Sequence, residues 1–209
     1  MHYRLILWDF DGTLADTLPG AVAVFNRLAD RHGLAPITDP AALRDMSTRE
    51  FLAAHRVPMH RLPFLMAEFL SLQKSLLPGV HLHDGIADAL DRLRDLGCRL
   101  GVVSSNAEDN IRLCLDANGV TDRFEFVHGY SRLTGKERAL RRAANRAGLP
   151  VSEILYVGDE VRDIDAAGSI GMDIAAVTWG FNSKSTLVAA DPTYVIEHAS
   201  ELPGLVGEA

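Results

Sequence analysis

Four short stretches of this 209-residue chain carry side chains suited to phosphoryl chemistry. The first is Asp9-Phe10-Asp11-Gly12-Thr13-Leu14, where two carboxylates stand one residue apart. The second, Ser104-Ser105-Asn106, offers small hydroxyl and amide donors that can bond phosphate oxygens. The third, Gly135-Lys136, brings an ammonium in a chain that has only three lysines. The fourth is Gly158-Asp159-Glu160, with Asp163 four residues beyond Asp159. One aspartate at a strand end is ordinarily a turn or cap residue, and one lysine is ordinarily a surface residue. Carboxylates, a hydroxyl and an ammonium gathered in one place make a site for a divalent cation and a phosphoryl group. If ionised, Asp9, Asp11, Asp159 and Asp163 against Lys136 leave a charge of −3, which repels a phosphate dianion. Bound Mg2+ and a protonated Asp11 would bring the site near neutrality, so activity is expected to require the metal.

For these stretches to meet, they must sit at equivalent ends of neighbouring elements. Apolar runs of strand length at residues 4–8, 99–103, 124–127, 154–157, 173–177 and 194–196 alternate with stretches of helical period. That alternation predicts an α/β fold, a doubly wound parallel sheet with helices on both faces. In such sheets ligands bind beyond the carboxyl ends of the strands, where all four stretches fall. Strand alternation puts Asp9 and Asp11 on one side with Phe10 pointing elsewhere. Helices are expected over residues 85–96, capped by Asp84 and closed by Gly97, and over 108–117, 136–147 and 160–169. Residues 16–77 break the alternation, being helical throughout. Residues 21–32 are amphipathic, Ser47-Thr48-Arg49-Glu50 matches a capping box for a helix through His55, and a third helix is expected over 62–76. We expect residues 16–78 to form an α-helical cap inserted after the first strand, and residues 1–15 and 79–209 to form the catalytic core.

Together these motifs resemble the haloacid dehalogenase superfamily, specifically its phosphoglycolate-phosphatase-like branch with a helical cap. The resemblance covers essentially the whole chain, with four motifs in the family's order. It implies a Rossmann-like core with a central first strand. It also implies that Asp9 is the nucleophile, Asp11 the general acid/base, Ser104 a phosphoryl-oxygen donor and Lys136 the charge-neutralising base. Mg2+ is then held by Asp9, Asp159 and the Asp11 backbone carbonyl, with Asp163 at a second acidic position. Gly12, Thr13, Ser105 and Asn106 are expected around the substrate. An acid at position 11 favours phosphate over halide chemistry, since the dehalogenase branch lacks one there. An aspartyl-phosphate intermediate divides hydrolysis into two steps, and Asp11 needs a raised pKa to give and then take a proton. A phosphomutase of the same superfamily, or a non-enzymatic phosphoacceptor, are the competing functions.

Composition sets outer limits. Twenty-eight acidic against 21 basic side chains give a net charge of −7, which with no basic run argues against nucleic acid. The insert differs, with seven basic against six acidic side chains for a net +1, leaving −8 for the remainder. A basic cap suits a small phosphorylated metabolite that also carries a carboxylate, such as phosphoglycolate. Cys98 and Cys114 form no CxxC, the N-terminus meets Asp9 before an h-region could form, and no window is apolar enough to span a membrane. The expectation is a cytoplasmic protein with no membrane or protein partner. Gly135-Lys136 is no Walker loop, because Tyr130 stands six before the lysine and Glu137 follows it. His81 and His83 read as solvated loop residues, the aromatics of Thr178-Trp179-Gly180-Phe181-Asn182 as packing with substrate contact the alternative, Glu160 equally as a helix-start residue or an outer neighbour of the metal, and the cap arginines as mostly a solvated face from which one or two could meet a substrate anion.

Overall fold

The computed structural model describes residues 2–130 and 135–207. Six parallel strands form one sheet in the order β3-β2-β1-β4-β5-β6: β1 (Leu5–Trp8), β2 (Arg99–Ser104), β3 (Phe126–Gly129), β4 (Ile154–Gly158), β5 (Asp173–Val177) and β6 (Tyr194–Ile196). All four residues of β1 are buried, as a strand covered on both faces requires. Ile6 and Trp8 face one layer with α4 (Ile86–Asp95) and α5 (Glu108–Ala117), through Leu90, Ile111 and Cys114. Leu5 and Leu7 face the other, with α6 (Lys136–Ala147), α7 (Val161–Gly168) and α8 (Lys184–Ala189), through Leu140, Ala143, Ala167 and Leu187. Each fully buried leucine or isoleucine among them contributes roughly 1.5–3 kcal/mol. The chain winds from β1 through β2 to the β3 edge and then crosses back to β4 on the other side of β1, so the switch point lies between β1 and β4. A short α9 (Gly204–Gly207) ends the described chain.

Between β1 and α4 lie α1 (Leu18–His32), α2 (Thr48–Ala54) and α3 (Leu62–Lys74). They gather a separate apolar cluster around Phe25, Ala29, Ile37, Val57 and Leu65. The expected capping box is present: Glu50 N donates to Ser47 Oγ at 3.3 Å and Ser47 N to the Glu50 carboxylate at 2.8 Å. Entry and exit of this segment run side by side, with Asp16 N bonded to His81 O at 2.9 Å and His83 N to Leu14 O at 3.0 Å.

Two local expectations are corrected. Asp84 does not cap α4; Gly85, at φ +76°, takes the N-cap position and makes the turn that a side chain would strain. The third strand lies two residues later than its apolar run, because a 3-10 turn over Thr121–Arg123 delays pairing until Phe126 meets Gly101. No helix among the described residues is long and apolar enough to cross a membrane.

Candidate active site

β1 and β4 end side by side, Trp8 lying level with Val157, and the residues that follow supply the acids. Asp9 is held by its own loop, Phe10 N donating to Oδ1 at 2.7 Å. Lys136, the first residue of α6, reaches across the sheet edge so that Nζ donates to Asp9 Oδ2 at 2.5 Å and also to Asp163 Oδ1. Asp163 in turn accepts from the backbone N–H groups of Asp159 and Glu160, both at 3.0 Å, which fixes the first turn of α7. The side chains of Asp9, Lys136, Asp159 and Asp163 are all buried. The ammonium holds the Asp9 carboxyl below its ordinary range against the opposing effect of burial. Two carboxylates keep the Lys136 ammonium well above its ordinary pKa despite its own burial. Removing one partner of such a buried pair costs roughly 3–5 kcal/mol, because a charge is left uncompensated.

Asp159 is the most constrained of the acids. Thr13 Oγ1 donates to one carboxylate oxygen and Phe181 N to the other, both at 2.6 Å. A side chain at Gly12 or at Gly180 would run into this carboxylate, and Gly12 also sits at φ +77°. Burial first, then the charges of Asp163, Glu160 and Asp9, push the Asp159 carboxyl well above its ordinary range. Oxygen atoms of Asp9, Asp159 and Asp163 all lie within 4.8 Å of one another. Three buried carboxylates facing a single ammonium form an all-oxygen donor set short of positive charge, which fits a hard divalent cation. The protein bonds that aim Asp159 are the outer supports such a ligand needs.

Asp11 stands apart from that triad. Asn106 Nδ2 donates to Oδ2 at 3.0 Å, and the buried Thr17 hydroxyl lies beside the same carboxylate. Burial, reinforced by the negative charge of Asp9, raises the Asp11 carboxyl to about 6. Asp11 lines a cavity of about 900 Å³ shared between the sheet end and the helical insert, with Ser105, Asn106 and Arg162 on one side and Thr48, Met66 and Phe69 on the other. Ser104 ends β2, buried, with its Oγ accepting from Asn106 N at 3.3 Å. Thr13 is fully buried and its hydroxyl is engaged by Asp159.

Four surrounding residues behave differently from a sequence reading. His83 turns inward, its ring centroid 6.2 Å from that of Trp179, while His81 stays exposed. Trp179 Nε1 donates to Thr13 O at 3.0 Å, a packing role, whereas Phe181 lines the cavity. Arg44 is no solvated residue: its guanidinium donates to Thr178 O at 2.9 Å and Gly180 O at 2.7 Å, fastening the insert to the loop that supports Asp159. Glu160 starts α7 as expected and also pairs with Arg162. Arg162 was missed altogether; its one sequence signal is a cation set between Glu160 and Asp163 in an otherwise acidic motif.

The haloacid dehalogenase-like hydrolase family model matches residues 6–177. A phosphoglycolate phosphatase of Synechococcus elongatus is 39% identical over 205 residues, covering 95% of this chain and 95% of that protein. A phosphoglycolate phosphatase of Xanthomonas campestris pv. campestris is 34% identical over 187 residues, covering 85% of this chain and 84% of that one. A solved haloacid dehalogenase-like family hydrolase from Streptococcus pneumoniae shares the fold at a TM-score of 0.85 and 20% identity, covering 97% of this chain and 98% of that one. The matched span holds every one of the four strand-end motifs, from Asp9 through Asp163, and the chain belongs to the haloacid dehalogenase-like hydrolase family.

Proposed function

We propose that this protein is a magnesium-dependent phosphatase of a small phosphorylated metabolite, phosphoglycolate foremost, working through an aspartyl-phosphate on Asp9. The enzyme class itself, a phosphatase, follows from the family and from relatives that align over nearly the whole chain. The observation that carries the finer proposal is the Asp9–Lys136–Asp163–Asp159 cluster, with Asp11 next to it, at the carboxyl ends of the two central strands.

In the first step an Asp9 carboxylate oxygen forms a bond to phosphorus while the ester P–O bond breaks, and the departing oxygen takes the proton of Asp11. In the second, water attacks phosphorus, gives its proton to the Asp11 carboxylate, and frees Asp9 and inorganic phosphate. A carboxyl raised to about 6 can play both parts near neutral pH. Lys136 keeps Asp9 ionised and oriented, and Ser104, with Ser105 and Asn106, provides donors beside the transferred group. Asp9 and Asp159, with Asp163 beside them, would hold Mg2+, which when bound supplies the positive charge that phosphoryl oxygens require. Residues 16–78 act as a lid on a body made of residues 1–15 and 79–209. Hinge motion near residues 16–19 and 78–79, next to the hydrogen-bonded linkers at 14–16 and 81–83, opens and closes the lid. Two buried free thiols, Cys98 and Cys114, suit the reducing cytoplasm in which we place it.

The test is phosphate release from a panel of phosphorylated metabolites, with and without Mg2+, and without any bisphosphate activator. We expect phosphoglycolate to lead the panel, chelation to stop turnover, and Asp9→Asn to lower it by at least about 10³-fold, as loss of a covalent nucleophile does. Turnover that survives chelation or Asp9→Asn would overturn the mechanism.

A further inference from the structure

A substrate carrying both a phosphate and a carboxylate needs two counter-charges. Lys136 cannot serve both ends, since its ammonium is buried between Asp9 and Asp163. The basic insert supplies no second cation to the cavity over Asp11: the insert residues that line it are Ala21, Thr48, Met66, Phe69, Leu70 and Gln73. Arg44 is occupied by the Thr178 and Gly180 carbonyls, and Arg31 and Arg61 by Glu68 and His32. Among the described residues, one cation lines this cavity, Arg162. It also lines the adjoining, smaller cavity beside Lys136, so it stands at the wall between that cavity and the space over Asp11.

We propose that Arg162 is a specificity residue that receives the substrate's carboxylate from the body side of the cavity. This rests on, and deepens, the phosphoglycolate proposal above. The side chain is 42% exposed, open enough for a ligand to reach, and its described partner, Glu160, takes a bond from Nη2. Arginine has five donors in a planar fork that matches a carboxylate, so donors remain for the substrate. Glu160 orients the guanidinium, and with Asp11 and Glu108 it makes the rest of this cavity's ionisable lining acidic, so Arg162 is the one lining cation among the described residues that can take an anion.

The experiment compares kcat/KM for phosphoglycolate and for ethyl phosphate, which has the same carbon number and no carboxylate, on the Mg2+-loaded enzyme. We expect the phosphoglycolate-to-ethyl-phosphate ratio to fall about 10- to 100-fold in Arg162→Met, mostly through KM, and less in Arg162→Lys, as loss of one charge-assisted contact predicts. Taking the ratio within one sample cancels any loss of folded protein. Equal losses on both esters would overturn the proposal, because Arg162 would then serve the shared phosphoryl group. An unchanged ratio would overturn it as well. A wild-type enzyme that cleaves ethyl phosphate but not phosphoglycolate would instead sink the underlying substrate assignment, before any variant is made.

Discussion

The body and the helical insert are built by different rules. In the body, the strands are sealed on both faces, and charged groups as costly as Asp9, Lys136, Asp159 and Asp163 are buried because each is held by several partners. The insert has a smaller apolar cluster, borders an open apolar cavity of about 480 Å³ that Phe181 of the body also lines, and leaves Met59, Phe64, Leu70 and Leu76 exposed. Voids forfeit packing energy, and exposed apolar surface adds no stability. The difference teaches that the buried charged cluster sits among close-packed, multiply bonded groups, while the helical insert is less densely packed and tied to the body at a few polar points.

The strongest challenge to that contrast is Gly180→Val. A side chain there would displace the Asp159 carboxylate, and the rigid body offers no room to relax. We expect the Mg2+ concentration needed for half-maximal activity to rise about 10- to 100-fold, as when outer supports of a metal ligand are lost. A Mg2+ titration of activity, with a thermal melt to check folding, measures it; an unchanged metal requirement would mean that the body is not rigid. A smaller effect is expected for Arg44→Ala, which removes the bonds to the Thr178 and Gly180 carbonyls. At about 1 kcal/mol for hydrogen bonds of this kind, kcat/KM should fall roughly 3- to 10-fold. Hydrogen exchange should quicken in α1–α3 and stay constant in the strands. Uniform quickening would show that insert and body open as one unit.

The smallest effect sharpens the picture within the insert. Glu68 on α3 holds His32 at 2.8 Å and also Arg31, both on α1, and the His32 bond lowers its carboxyl below the ordinary range. A carboxyl depressed in the folded state stabilises above the unfolded pKa, about 4.3 for Glu, and that contribution is lost as pH falls through the folded value. Hydrogen exchange in α1 and α3 should therefore accelerate modestly from pH 5 to pH 3 in the wild type, beyond the intrinsic rate change. Glu68→Gln should erase that pH-dependent part; if it persists, the tie lies elsewhere.

Much of this molecule was legible before any coordinates. Strand-length apolar runs and helical periods are local signals, and they gave the parallel sheet and the insert after β1. Motif residues announced themselves by position, as Asp9 and Asp11 did by following a strand. Boundaries were less legible: the run at 124–127 is apolar because Phe124 packs in the core beside the strand, while pairing starts at Phe126. Arg44 reads as ordinary surface charge because nothing within a few residues distinguishes it, and Arg162 drew no reading at all, its one local signal being the acids on either side of it.

The sequence by itself determined the fold class, the order of the motifs and the kinds of groups the site would contain, because periodicity and strand-end chemistry are encoded over a few neighbouring residues. Only the tertiary structure decided who meets whom. Lys136 finds Asp9 across 127 positions, Thr13 finds Asp159 across 146, and Arg44 finds Gly180 across 136. Those pairings depend on strand order and on how tightly glycines let carboxylates approach, and both are set by packing across the whole sheet.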